Sequence, residues 1–72
     1  MESKSEKFKR LAEARTNKAI ASIRSISNLS NPGNYEYDDS QIQRIFSALK
    51  RELEESRAAF SRQKPEPDKF KL

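Results

Sequence analysis

The sequence predicts an all-α protein built as an antiparallel helical hairpin, and three observations favour this fold. The 72 residues include a single glycine, and the helix-favouring Ala, Glu, Lys, Arg, Gln and Leu are used heavily. Apolar residues recur at steps of three and four in two separate stretches, as they do along one face of a helix. One connection joins these stretches of similar length, so the second can run back along the first.

The first helix is predicted over residues 3–27. Ser3, followed three residues later by Glu6, fits a capping box in which each residue satisfies a backbone N–H of the other. Glu6 is also spaced to pair with Arg10 one turn later, and Asn28 is expected to end the helix in the left-handed conformation. One face of the helix carries what we call the first stripe, which consists of five apolar residues and one threonine: Phe8, Ala12, Thr16, Ala19, Ile23 and Ile26.

The connection is predicted over residues 28–38, within the segment "NLSNPGNYEYDD". Pro32 followed by Gly33 is typical of a type II turn, because proline presets the first central position and glycine supplies the positive φ of the second. Asp38 is expected to be the N-cap of the next helix, with Gln41 as its capping-box partner.

The second helix is predicted over residues 39–63, and Pro65 then stops it. Its apolar residues follow a heptad pattern that Ser56 interrupts. They form the second stripe: Ile42, Phe46, Leu49, Leu53 and Phe60. Residues 64–72 contain two prolines and no helical period, so a flexible C-terminal tail is expected there. The whole hairpin, residues 1–63, is predicted to be one domain.

A second surface is needed to complete this hairpin, because a two-helix chain leaves half of each stripe in water. Leu, Ile, Val and Phe number only 14 of 72 residues, and a chain of this size is marginally stable by itself. The sequence lacks Cys and His, so disulfides and a structural zinc site are excluded. We therefore expect a homodimer that forms a four-helix bundle; the alternative is completion by a different protein.

Enzyme activity is not expected. Without His or Cys the usual general base, thiol nucleophile and transition-metal ligands are missing, and the sequence has no glycine-rich phosphate loop. We predict no cofactor, no metal and no small-molecule ligand. There is also no apolar run long enough for a membrane span or a signal peptide, so no membrane partner is expected and the cytoplasm is the predicted location.

The connection offers a candidate protein-binding site centred on Tyr35. Its neighbours Asn31, Asn34 and Glu36 are polar, and tyrosine inside a polar rim is typical of binding hot spots. The alternative is that Tyr35 covers the end of the bundle, packed over the last turn of the first helix.

The first helix offers a candidate nucleic-acid surface. Four cations fall on one side of the first stripe, and such a row can follow phosphates; they are Lys4, Lys7, Arg15 and Lys18. The alternative is a solvated helix face whose long side chains cover the edges of the apolar residues.

The string "RTNKAIASIRSISNLSNPGNYEYDDSQIQRIFSAL" resembles a family of short helical proteins of unassigned function from bacterial genomes and mobile elements, including phage. It covers about half of the chain, and the resemblance implies no catalytic or binding residue. In architecture the predicted hairpin is similar to the plasmid protein Rop, a dimeric bundle that binds paired RNA loops. We therefore expect a small protein-interaction module that acts as a regulator, adaptor or inhibitor; the alternative is a nucleic-acid-binding protein.

Overall fold

A computed structural model of the chain describes residues 1–63, and within them it is all-helical, which confirms the predicted class. Helix α1 spans Lys4–Ser27, a 3-10 helix spans Asn28–Ser30, and helix α2 spans Asp39–Gln63. No strand occurs in this part of the chain. The chain divides into two compact units, one ending at Glu36 and the other beginning at Tyr37, so each helix belongs to its own unit. The predicted tail, 64–72, lies outside the described residues.

The start of α1 is fixed by the predicted capping box, which is confirmed. The Ser3 hydroxyl accepts a hydrogen bond from the Glu6 N–H at 3.1 Å, and the Ser3 N–H donates to Glu6 Oε1 at 3.3 Å. Two backbone donors that the first turn cannot satisfy internally are thereby paired within four residues of sequence. The helix therefore carries its own start signal and needs no tertiary contact to define it.

Arg10 pairs with Glu2, and the predicted pair with Glu6 is wrong. Arg10 Nε donates to Glu2 Oε2 at 2.9 Å and Arg10 Nη2 donates to Oε1 at 3.1 Å, a two-point contact across the helix start. The Glu6 carboxylate is turned back toward Ser3 by the capping box, so it is not available to the next turn. Hydrogen bonding to Glu2 raises the pKa of Arg10, but an exposed pair of this kind contributes little to stability.

The end of α1 differs from the prediction. Asn28 has φ −65° and ψ −16°, which is right-handed, and its N–H points to the carbonyls of Arg24 and Ile26. The Ser27 hydroxyl also donates to the Arg24 carbonyl at 2.7 Å. Because the tightened last turn and this hydroxyl satisfy carbonyls that a left-handed cap would have served, the chain avoids the steric cost of a left-handed non-glycine residue.

The turn at Asn31–Asn34 is present, but the type II geometry predicted for it is wrong. Gly33 does not adopt a positive φ. Instead the Asn31 carbonyl accepts from the N–H groups of both Asn34 and Tyr35, at 3.2 and 3.1 Å, and Asn31 Oδ1 accepts from the Gly33 N–H at 2.9 Å. Glycine serves close approach here, since a Cβ on Gly33 would lie 3.2 Å from Asn31 Oδ1. The asparagine side chain thus organises the turn.

A second capping box starts α2, as predicted, and this prediction is confirmed. Asp38 Oδ1 accepts from the Gln41 N–H at 2.8 Å, and Gln41 Oε1 accepts from the Asp38 N–H at 2.9 Å. The Asp38 carbonyl also accepts from the N–H of Ile42 at 3.2 Å, closing the first turn. Both caps are built from side chains inside the first turn, so the two helices are initiated in the same way.

We expect Asp38→Ala to destabilise α2, because it removes the acceptor for the Gln41 N–H. Loss of an N-cap side chain costs about 1 kcal/mol, and urea denaturation followed by circular dichroism would measure it. Asp38→Asn is the matched control, because its amide oxygen preserves the acceptor. If Asp38→Ala and Asp38→Asn lowered the free energy of unfolding equally, the capping role of Asp38 would be contradicted.

Candidate interaction surfaces

The second stripe lies along one face of α2 and is largely in contact with solvent. At 100° per residue its five members fall within an arc of about 60°. Phe46 is 48% exposed, Leu53 64% and Phe60 61%, while Ile42 and Leu49 are half-buried. Large apolar side chains lined up with this exposure form a continuous patch, and such patches mark surfaces that meet another molecule.

The first stripe also lies along one helix face and is largely exposed, and its side chains are smaller. Its members fall within an arc of about 80° on α1. Phe8 is 57% exposed, Ala12 and Ile26 are half-buried, and the alanine and threonine between them are exposed. Ala19 and Thr16 at the centre allow another helix backbone to approach closely. Among the residues with described side chains, none is buried, so the apolar face of each helix is at least partly exposed.

Tyr35 follows the Asn31 turn with its side chain 49% exposed. Its backbone N–H is held by the Asn31 carbonyl at 3.1 Å, which fixes where the ring leaves the chain. Asn34 and Glu36 on either side are exposed as well. The arrangement gives an aromatic ring on a hydrogen-bonded turn with polar groups around it, which is how a recognition anchor is built.

The four cations of the candidate nucleic-acid surface are exposed on α1. At 100° per residue Lys4, Lys7, Arg15 and Lys18 fall within an arc of about 80°, centred to one side of the first stripe. The ion pairs found within residues 1–63 are Arg10 with Glu2 and Arg51 with Glu55, so this row takes no part in them. Its positive charge remains available to an anionic partner.

The described residues contain no group of three or more His, Cys, Asp or Glu side chains placed to hold a metal ion. In the same part of the chain, neither helix is apolar enough over its length to cross a membrane. What the two units do offer is apolar faces, an aromatic turn and a row of cations, and all three are features of binding surfaces.

Comparison of the chain with protein families, with characterised proteins and with solved structures gives no significant match.

Two features of these surfaces were missed by the sequence analysis. One is the contact between Glu2 and Arg10, which are eight residues apart, because Glu2 lies before the helix begins and the i,i+4 rule does not cover it. The other is the Asn31 side chain as the organiser of the turn. Asn before a Pro-Gly pair is a known turn signal, and it could have been used to predict this contact.

Proposed function

We propose that this chain is a small, non-enzymatic protein-interaction module that works through protein–protein contacts as a regulator, adaptor or inhibitor. The observation that carries the proposal is the exposure of large apolar side chains on each helix: Phe8, Phe46, Leu53 and Phe60 are all about half exposed or more. Burying one such side chain stabilises a complex by about 1.5–3 kcal/mol. Two stripes of this kind provide the driving force for assembly.

The spacing of the stripes supports closure into an antiparallel hairpin. Phe8 to Ile26 covers the same number of residues as Ile42 to Phe60, about 27 Å at 1.5 Å per residue. In a hairpin the two Phe residues meet at the open end and the two Ile residues meet beside the connection. Between them Ala19 falls opposite Leu49, so a small residue faces a large one as close packing requires.

A hairpin of two helices still exposes the outer half of each stripe, and a second copy is the partner we propose for it. The result is a homodimeric four-helix bundle. A two-fold interface uses the same patch on both copies, so one sequence supplies both halves of the core. We further propose that the module acts in the cytoplasm and is encoded by a bacterial genome or a mobile element such as a phage.

The proposed contact with another protein is the turn that carries Tyr35, together with Asn31, Asn34 and Glu36. We expect Tyr35→Ala to weaken binding to a purified partner about 30-fold, because anchors of this type contribute about 2 kcal/mol or more. Isothermal titration calorimetry with a partner identified by affinity capture would measure this. Tyr35→Phe is the matched control, since it retains the ring and removes only the hydroxyl. Full affinity in Tyr35→Ala would rule out the turn as the contact.

The row of cations on α1 supports a second candidate function, binding to RNA or DNA by a bundle similar in architecture to Rop. Reversing Lys7 and Lys18 to Glu is expected to abolish binding to duplex RNA or DNA at 50 mM salt. For the unmodified chain, binding to four phosphates should weaken by about a hundredfold between 50 and 200 mM salt. Reversal of Arg44 and Arg51, which lie on the other helix, is the control. Equal affinity in the two double variants would contradict a specific role for this row.

A further inference from the structure

We propose that the second copy docks head to tail, so that the connection of each chain lies beside the open end of its partner. The inference rests on the hairpin closure and the self-association proposed above, and it adds the orientation of the two copies. We call residues 28–40 the loop end, and residues 2–10 together with 57–63 the open end. A two-fold dimer of hairpins has two simple arrangements: like ends together, or unlike ends together.

The charges of the two ends are opposite. The loop end has three acidic residues, Glu36, Asp38 and Asp39, and no basic one. The open end has a surplus of four positive charges. It combines Lys4, Lys7, Lys9, Arg10, Arg57 and Arg62 with Glu2 and Glu6. All of these residues are exposed, so their fields reach a docking partner.

Orientation decides whether these fields attract or repel. With like ends together, three negative charges face three others at one end of the bundle, and two positive clusters face each other at the opposite end. With unlike ends together, attraction replaces repulsion at both ends, and the two-fold axis makes the effect count twice. Each exposed pair contributes little, but complementary charge suppresses wrong arrangements and fixes register.

The distribution of apolar volume favours the same orientation and is independent of charge. The halves of the helices nearest the loop end, residues 17–27 and 39–50, contain seven large apolar side chains, whereas the halves nearest the open end, residues 4–16 and 51–63, contain four. At core-facing positions the halves nearest the open end have small or polar residues: Ala12, Thr16, Ser56 and Ala59. If the halves with more large apolar side chains packed against each other, one end of the core would be overfilled and the other would contain voids. Head-to-tail docking places the bulkier half of each chain against the less bulky half of its partner, so the packing density is similar along the core.

Glu36→Lys tests the charge argument through the sign of its effect. Glu36 belongs to neither helix and makes no capping contact, so its reversal leaves the helices intact. With unlike ends together, the new lysine faces the partner's positive cluster, and we expect the dimer dissociation constant to rise roughly tenfold at 50 mM salt and less at 0.5 M. With like ends together the same change relieves repulsion and tightens the dimer. Analytical ultracentrifugation gives the constant, and an unchanged or lower value would overturn the proposal.

Glu52→Lys is the matched control for charge. It introduces the same reversal on an exposed position of α2 that belongs to neither end. We expect its dissociation constant to change by less than about threefold. If Glu52→Lys weakened the dimer as much as Glu36→Lys does, the effect would be due to overall charge, and the proposed orientation would be overturned.

A distance measurement separates failure of the orientation from failure of self-association. The chain has no native cysteine, so Asn34→Cys places a single spin label on each loop end. Pulsed electron paramagnetic resonance is expected to give a label separation of about 36 Å or more for head-to-tail docking, which is the length of a 24-residue helix. Loop ends that lie together would give about 20 Å or less. A dimer with the short distance overturns the orientation alone, whereas a monomer in the centrifuge at about 100 μM, or one that dimerises only with another protein, overturns both proposals.

Discussion

Leu49→Glu is expected to turn the protein into a poorly folded monomer. Leu49 is half-buried on α2 at the middle of the second stripe, where the proposed bundle places it in the core. Truncating a buried leucine costs about 2–5 kcal/mol, and a carboxylate in an apolar core costs more because it has no partner there. The two-fold axis places the change twice in each dimer. We therefore expect the dissociation constant to rise by more than about a thousandfold.

Ser47→Glu provides the matched control. It inserts the same side chain two residues away, at an exposed position on the opposite side of α2. Sedimentation and circular dichroism should show an assembled helical protein for Ser47→Glu and a monomer with reduced helix content for Leu49→Glu. If Leu49→Glu had the mass and melting curve of the unmodified chain, the second stripe would not be an interface.

Thermal stability is expected to depend strongly on protein concentration. If the core is completed by a second copy, dilution favours the unfolded monomer by mass action. A hundredfold dilution, from about 100 μM to about 1 μM, removes about 2.7 kcal/mol. For a dimer of this size that loss should lower Tm by roughly 5–10 °C. Circular dichroism melting at the two concentrations measures the shift.

Two copies joined in tandem serve as the control for this dilution series. A Gly/Ser linker of about 40 residues has a root-mean-square span of about 35 Å, enough to join ends on opposite sides of the bundle. The tandem protein should melt at a Tm that no longer changes with dilution, because assembly has become intramolecular. A concentration-independent Tm in the unlinked chain, with its helix content intact, would contradict self-association.

The parts of the fold that sequence predicted well are the two helix starts, which are determined by side chains three residues apart. Ser3 with Glu6 and Asp38 with Gln41 form the expected reciprocal hydrogen bonds. Such pairs depend on helix geometry alone, since residues three apart lie on adjacent turns. The exposed pair of Arg51 with Glu55, at 3.3 Å, has the i,i+4 spacing on α2, whereas that spacing did not identify the partner of Arg10.

The errors at Asn28 and Gly33 occurred where backbone groups had several ways to be satisfied, whereas the error at Arg10 occurred because Glu2, outside the helix, is its partner. Asn28 could end α1 with a left-handed conformation or continue as a 3-10 turn, and the hydroxyl of Ser27 helps the second choice. Gly33 could supply a positive φ or simply leave room, and Asn31 Oδ1 uses that room. Local residue preferences rank these choices poorly, because the free energies differ by only about 1–2 kcal/mol.

The candidate surfaces could be predicted as positions, since helical period places the apolar residues on one face and the cations beside them. What occupies each surface is not encoded locally. Leu53 and Phe60 are more than half exposed. They favour contact with any apolar surface, whether it belongs to a second copy of this chain or to a different protein. Only features that differ between the two ends of the proposed hairpin, such as the acidic residues near Tyr35, carry information about the occupant and its direction.

The two capping boxes also have a kinetic consequence. Each lies within four consecutive residues, so helical turns can nucleate at both starts within about a microsecond of synthesis or dilution. In the proposed dimer, copies that meet can therefore present partly formed helices to each other. Formation of the proposed dimer should then be limited by collision and orientation, with a rate that rises as the square of the monomer concentration.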